Sequence, residues 1–178
     1  MRRRDFIRYL GLGSVAVTIP EAMHAVPAAA TTLCSDKKTK PISGSWFEFQ
    51  HSAAEGGYWN EALAHFTADQ WRRKVFEIRE VGMEYLVLMG VARAGKPFYP
   101  SKIAPRIPMG CDDPLEAVLS AADECGIKFF VSNDFWGDLD AYNMMLDKGV
   151  QTVRFQAMEE IAERYSHHAC FYGWYFPN

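Results

Sequence analysis

Three short clusters hold the residues best suited to chemistry. Trp46, Glu48, Gln50 and His51 lie in the string GSWFEFQH. Asn133, Asp134 and Trp136 lie in NDFWG. Asn178 follows Pro177 at the end of CFYGWYFPN. Each cluster sits at the carboxyl end of an apolar run. Rings, amides and carboxylates gathered around one mouth suit sugars: rings stack on the apolar faces of pyranoses, while amides and carboxylates take the hydroxyls. Tyr58, Trp59 and Tyr99 add aromatic rings from the loops. A metal-dependent hydrolase or isomerase would want an H-x-H or a His/Glu/Asp set at strand ends. His51 alone does not make one, so no metal site and no cofactor are expected.

Each residue also has a plainer reading. Trp46 suits a core position on an inward face. Glu48 suits a structural carboxylate paired with Arg or Lys, because burying it alone is expensive. Asn133 and Asp134 suit the cap of a following turn. His51 suits an ordinary loop. The pair His167-His168 ends a predicted helix, where imidazole complements the dipole, and is read as structural.

The elements that would position these residues repeat. Residues 42–50 alternate as a strand, with Trp46, Glu48 and Gln50 on one face and Phe47 and Phe49 on the other. Residues 51–66 read as a loop. A capping box at Thr67 and Gln70 opens a helix that Gly82 ends. The strand 84–91 is nearly all apolar, as in a parallel strand covered on both faces. A loop with four prolines follows over 92–111, and Asp113-Pro114 then starts a helix closed by Gly126. The remaining units are a strand at 127–132, a helical turn within 138–148, a helix from about 150 to 165, and an aromatic strand over 170–178 that reads as buried. Strand starts near 43, 84, 127 and 170 recur every 41–43 residues. The fold class is therefore α/β with parallel strands. An open doubly wound sheet and a (β/α)8 TIM barrel both fit. The absence of a G-x-G-x-x-G or Walker loop after the first strand counts against the nucleotide-binding doubly wound class.

Residues 1–30 precede the fold. Paired arginines in Arg3-Arg4-Asp5-Phe6-Ile7-Arg8, a short apolar run and Ala28-Ala29-Ala30 resemble a twin-arginine export signal; an ordinary secretory signal is the alternative. The export machinery is then one expected partner, and a periplasmic or extracellular location follows. The apolar run is too short to span a membrane, and Cys34 is poorly placed for a lipid anchor. Residues 31–41 form a polar tether. The 178 residues carry a net charge of −3, which argues against nucleic acid. Beyond residue 30 there are 15 Lys and Arg against 20 Asp and Glu, an acidic balance that suits a neutral ligand better than a polyanion. Cys111 and Cys125 flank one predicted helix, roughly 21 Å apart, too far for a disulfide. Cys125 and Cys170 both lie near strand starts, and buried free thiols are expected.

The strings Gly44–His51, Gly82–Met89 and Phe171–Asn178 resemble an uncharacterised family of exported bacterial glycoside-hydrolase-like TIM barrels, related to the clan A glycoside hydrolases. The likeness covers residues 42–178. It implies the N-terminal half of a barrel, four β/α units ending at strand 4, and an oligo- or polysaccharide partner. In that clan an Asn-Glu pair ends the fourth strand, and the Glu is the acid/base. Asn178 matches the Asn; the Glu would come immediately after it, outside this chain, as would the nucleophile on the seventh strand. The resemblance thus implies hydrolysis of O-glycosidic bonds by two carboxylates in the full-length protein and an inactive fragment here. The alternative is a non-catalytic glycan-binding barrel.

Overall fold

The computed structural model describes residues 40–51, 57–137 and 146–176. All its elements fall within the compact unit Pro41–Asn178. In chain order they are β1 (Gly44–Phe47), α1 (Gly57–Ala64), α2 (Ala68–Glu80), β2 (Tyr85–Leu88), β3 (Ala92–Arg93), β4 (Lys96–Pro97), α3 (Pro114–Cys125), β5 (Lys128–Ser132), α4 (Lys148–Tyr165) and β6 (Phe171–Tyr175).

Local chemistry accounts for the helix ends. The Thr67 hydroxyl accepts from the Gln70 backbone N–H at 3.3 Å, and the Gln70 side chain accepts from the Thr67 N–H at 2.8 Å. Two otherwise unpaired donors at the start of α2 are thereby satisfied. Asp113 accepts from the Glu116 N–H at 3.0 Å with Pro114 in the first turn of α3. That helix stops at Gly126, whose φ of 72° is the left-handed conformation glycine adopts cheaply. Asp147 caps α4 through the Val150 N–H at 3.0 Å.

β1, β2, β5 and β6 form one sheet in that order, and every pairing is parallel. The order follows the sequence without reversal, so these strands contain no doubly wound switch point. Successive crossovers of one hand then place the helices on one face. Burial agrees. Phe47, Phe49, Leu86, Leu88, Phe129 and Val131 are buried in one core with Trp71 and Val75 of α2, Leu115, Val118 and Leu119 of α3, and Ala157 and Ile161 of α4. On the opposite face Trp46 is 56% and Tyr172 55% exposed.

The sheet curls toward that open face. β1 and β6 are its two edges, three strand spacings apart, about 14 Å across a flat sheet. Yet the rings of Trp46 on β1 and Tyr175 on β6 lie with centroids 5.1 Å apart. A register shift between Phe129 and Phe130, where β5 meets β6, adds local bending.

Several elements differ from the sequence reading. The stretch expected to be a loop before Thr67 contains α1. The proline-rich loop contains the β3–β4 hairpin, turned at Ala94 and Gly95 with φ of 48° and 73°, the signs of a type I′ turn. The last strand, expected to be buried, is an edge strand with half-exposed aromatic residues. Residues 1–39, residues 138–145 of the turn expected within 138–148, and Pro177 and Asn178 lie outside the described residues. Among the described residues no helix is long and apolar enough to cross a membrane.

Candidate functional site

The carboxyl ends of β1, β2 and β5 meet around a small cleft lined by Glu48, Gln50, Met89, Gly90, Ala92 and Phe135. Alternation along β1 turns Phe47 and Phe49 under the helices and leaves Trp46 and Glu48 for the open face. Glu48 Oε2 lies 2.8 Å from Nδ1 of His51, within hydrogen-bond distance. No described residue donates to Oε1 of Glu48.

Helix α1 fixes the end of β1. The Asn60 side chain clasps the His51 backbone: its Oδ1 accepts from the His51 N–H at 2.6 Å, and its Nδ2 donates to the His51 carbonyl at 2.7 Å. The Gln50 amide nitrogen donates to the Asn60 carbonyl at 3.4 Å. This leaves Gln50 Oε1 buried, with no donor among the described residues, in a side chain that lines the cleft. Buried acceptors are nearly always paired.

Asn133 and Asp134 turn inward rather than toward the cleft mouth; each is 3% exposed. Their partner is Arg154 of α4, itself buried. Its Nη2 donates to Asn133 Oδ1 at 3.1 Å, and its Nε lies 3.9 Å from Asp134 Oδ1. Asp134 Oδ1 also accepts from the Phe135 N–H at 2.7 Å. Phe135 follows with a φ of 70°, a conformation that costs energy in a non-glycine residue. It swings the ring over Gly90: a Cβ built on Gly90 would stand 2.5 Å from Phe135 Cδ2. The Gly95 N–H of the hairpin tip donates to the Phe135 carbonyl at 3.2 Å. Asp134 and the hairpin therefore hold Phe135 as a wall, and glycine at position 90 leaves it room. Trp136 is 5% exposed, and its indole N–H has no acceptor among the described residues.

Of the residues expected to meet a ligand, Glu48 and Gln50 share the cleft with His51 beside them, and Trp46 is exposed on the same face of the sheet. Asn133, Asp134 and Trp136 are buried behind it, and Asn178 lies outside the described residues. Tyr58 and Trp59 are exposed on α1. Tyr99 is fully buried, its hydroxyl donating to Glu160 at 3.0 Å. The sequence reading missed Phe135, Gly90, Asn60 and Arg154. Only Arg154 left a signal: it falls on the stripe of Val150, Ala157 and Ile161, where a lone charge needs a buried partner.

The far end of the sheet has its own polar cluster. His168 is 6% exposed, with Nδ1 2.7 Å from Asp123 Oδ2 and Nε2 3.1 Å from Glu116 Oε2. Burial opposes its charge, but the hydrogen bonds to Glu116 and Asp123 outweigh burial and raise its pKa. Asp123 also accepts from the Cys170 N–H at 2.6 Å. The set Asp123, His168 and Cys170 brings possible metal-ligand atoms within 4.8 Å of one another, as does Glu116, His167 and His168. Both nitrogens of His168 are already engaged by carboxylates, and burial pushes the Cys170 thiol well up. The arrangement is that of an ion-pair clamp joining α3 to the start of β6. Cys111, Cys125 and Cys170 are free thiols.

Fold and site together define an α/β protein whose unreversed parallel sheet carries a small polar and aromatic cleft at its carboxyl ends. Residues 42–178 match DUF4434, described as a domain of unknown function, and the chain belongs to that family. No curated protein matches it. Among solved structures, the chain is similar to a bacterial fucosidase seen with a monovalent iminocyclitol inhibitor, at 18% identity and a TM-score of 0.43. The likeness covers 75% of this chain and 38% of that one, so the chain spans well under half the fucosidase's length.

Proposed function

We propose that this is an exported carbohydrate-active protein whose described sheet is one half of a (β/α)8 barrel, with a saccharide held at the carboxyl ends of the strands. In this reading residues 1–30 are a twin-arginine export signal and 31–41 a tether. The observation that carries it is the meeting of Trp46 and Tyr175, drawn from opposite edges of the sheet to 5.1 Å on its open face. Glu48, one alternation step beyond Trp46, leads from these rings to the cleft. A sheet curled this far, with helices on one side only, suits a barrel wall. Half-exposed rings beside a carboxylate and an amide suit a pyranose, which offers apolar faces and a rim of hydroxyls.

The finer reading is hydrolysis of O-glycosidic bonds by the longer protein, with Asn178 beside the general acid/base. Retaining hydrolysis needs two carboxyl groups about 5–5.5 Å apart. One observation favours the alternative, a non-catalytic glycan-binding barrel, for the residues described. Of the described carboxylates at this end, Asp134 is occupied by Arg154 and the Phe135 backbone, which leaves Glu48 as the one facing the cleft.

Affinity electrophoresis of the purified chain through gels containing plant and bacterial polysaccharides tests the proposal. Retardation by at least one polysaccharide is expected, with Trp46→Ala weakening it about tenfold. Aryl glycosides should remain uncleaved by the chain alone. Unretarded migration in every gel would remove the saccharide reading, and turnover of an aryl glycoside would remove the assignment of this chain as the non-hydrolysing half.

A further inference from the structure

We infer that the cleft between Glu48, Gln50 and Phe135 selects uncharged sugar rings and rejects the matching uronic acids. The inference rests on the saccharide reading above and adds the charge class of the ring. It starts from the donors and acceptors left over once internal hydrogen bonds are made. Gln50 is 8% exposed; its amide nitrogen is turned to Asn60, and its Oε1 has no donor among the described residues. Glu48 uses Oε2 on His51 and keeps Oε1. The cleft therefore offers two acceptors, one of them a carboxylate oxygen. Its other lining residues, Met89, Gly90, Ala92 and Phe135, carry no cation.

Such a site reads donors. A hydroxyl gives Gln50 the hydrogen bond it lacks and gives Glu48 a charge-assisted one. A ring carboxylate offers neither and brings a second negative charge toward Glu48, with no Lys or Arg among the described residues of the cleft wall to offset it. Partial burial strengthens that repulsion relative to water. Rejection through an uncompensated charge is how many sites gain specificity. Phe135 and Met89 supply apolar wall for the face of a sugar ring. Gly90 leaves room for the Phe135 ring to form that wall.

The test uses oligosaccharides matched in ring and length: galactose with galacturonate, glucose with glucuronate, mannose with mannuronate. Titration calorimetry on the full chain at physiological salt gives the affinity ratio for each pair. The pair that contains the tightest neutral ligand should favour that ligand by about tenfold or more. Glu48→Gln, with folding checked by its melting curve, should narrow the ratio to roughly threefold or less by improving uronate binding. Gln50→Met should weaken the neutral ligand while leaving the uronate little changed. Equal or tighter binding of the uronates by the native chain overturns the inference and leaves saccharide binding intact. The native ratio needs no variant, so it decides the point even if Glu48→Gln fails to fold. Binding of neither series removes the saccharide reading and this inference with it.

Discussion

Replacing His168 with leucine isolates the clamp between α3 and β6. The imidazole is buried, and each nitrogen faces a carboxylate, so removal deletes two charge-assisted hydrogen bonds. The Asp123 bond is the shorter, at 2.7 Å, and that side chain is 30% exposed. A bond to a charged group contributes about 1.5–3 kcal/mol, and partial solvation puts this one near the low end. Glu116 is 45% exposed, so screening leaves its bond about 0.5 kcal/mol. The expected loss is about 2 kcal/mol near pH 6. The pH dependence has a definite sign. The folded pKa of His168 lies above its ordinary value of 6.5. Its contribution is therefore complete below that value and is lost as pH rises through the folded pKa. Asp123 is shifted the other way: burial raises it, but the His168 and Cys170 hydrogen bonds prevail and lower it. Its share persists above its ordinary value and disappears only as pH falls through the lowered one. Urea unfolding of the native chain and of His168→Leu, followed by tryptophan fluorescence, should show a gap of about 2 kcal/mol near pH 6 that falls below about 1 kcal/mol near pH 9. A gap that stays constant or widens toward pH 9 would refute the clamp.

Two further substitutions probe the cleft. Gly90→Ala places a methyl 2.5 Å from the Phe135 ring and 3.2 Å from the Ala92 carbonyl; overpacking should cost about 1–3 kcal/mol in urea unfolding, and an unchanged midpoint would contradict the close approach. Arg154→Met leaves Asp134 buried without its cation and should cost about 3 kcal/mol, with Asp134→Asn in the Arg154→Met background recovering part of the loss; a loss under about 0.5 kcal/mol would show that the buried pair does not hold the end of β5.

Much of the scaffold was legible because it rests on local chemistry. Thr67 with Gln70, Asp113 with Pro114, and Gly126 mark helix ends through bonds made within a few residues. The alternation of Trp46 and Glu48 with Phe47 and Phe49 divided β1 into its two faces, but that the phenylalanine face is the buried one, and Trp46 exposed, came from the packing of the helices. What escaped depends on distant partners. Asn133 and Asp134 look like exposed polar residues until Arg154, some twenty positions later, takes them into the interior. Tyr99 looks like a loop ring until Glu160 accepts its hydroxyl. Helix α1 begins at Gly57, in a run that reads as a loop, and it is fixed by the Asn60 clasp on His51. Phe135 adopts a positive φ that nothing in its residue type announces. The two residues legible as site candidates that share the cleft, Glu48 and Gln50, come from one strand end; their counterparts on β2 and β5 became apparent only through the curl of the sheet.

The central claim is that saccharide meets this chain at the carboxyl end of the sheet. Backbone amide NMR during titration with the best-retained oligosaccharide tests it most directly. The account predicts shifts concentrated at residues 46–51, 89–92 and 133–136, with Glu116, Asp123 and His168 at the far end unmoved. Shifts centred on that far end, or scattered over the helices with the cleft silent, would contradict it.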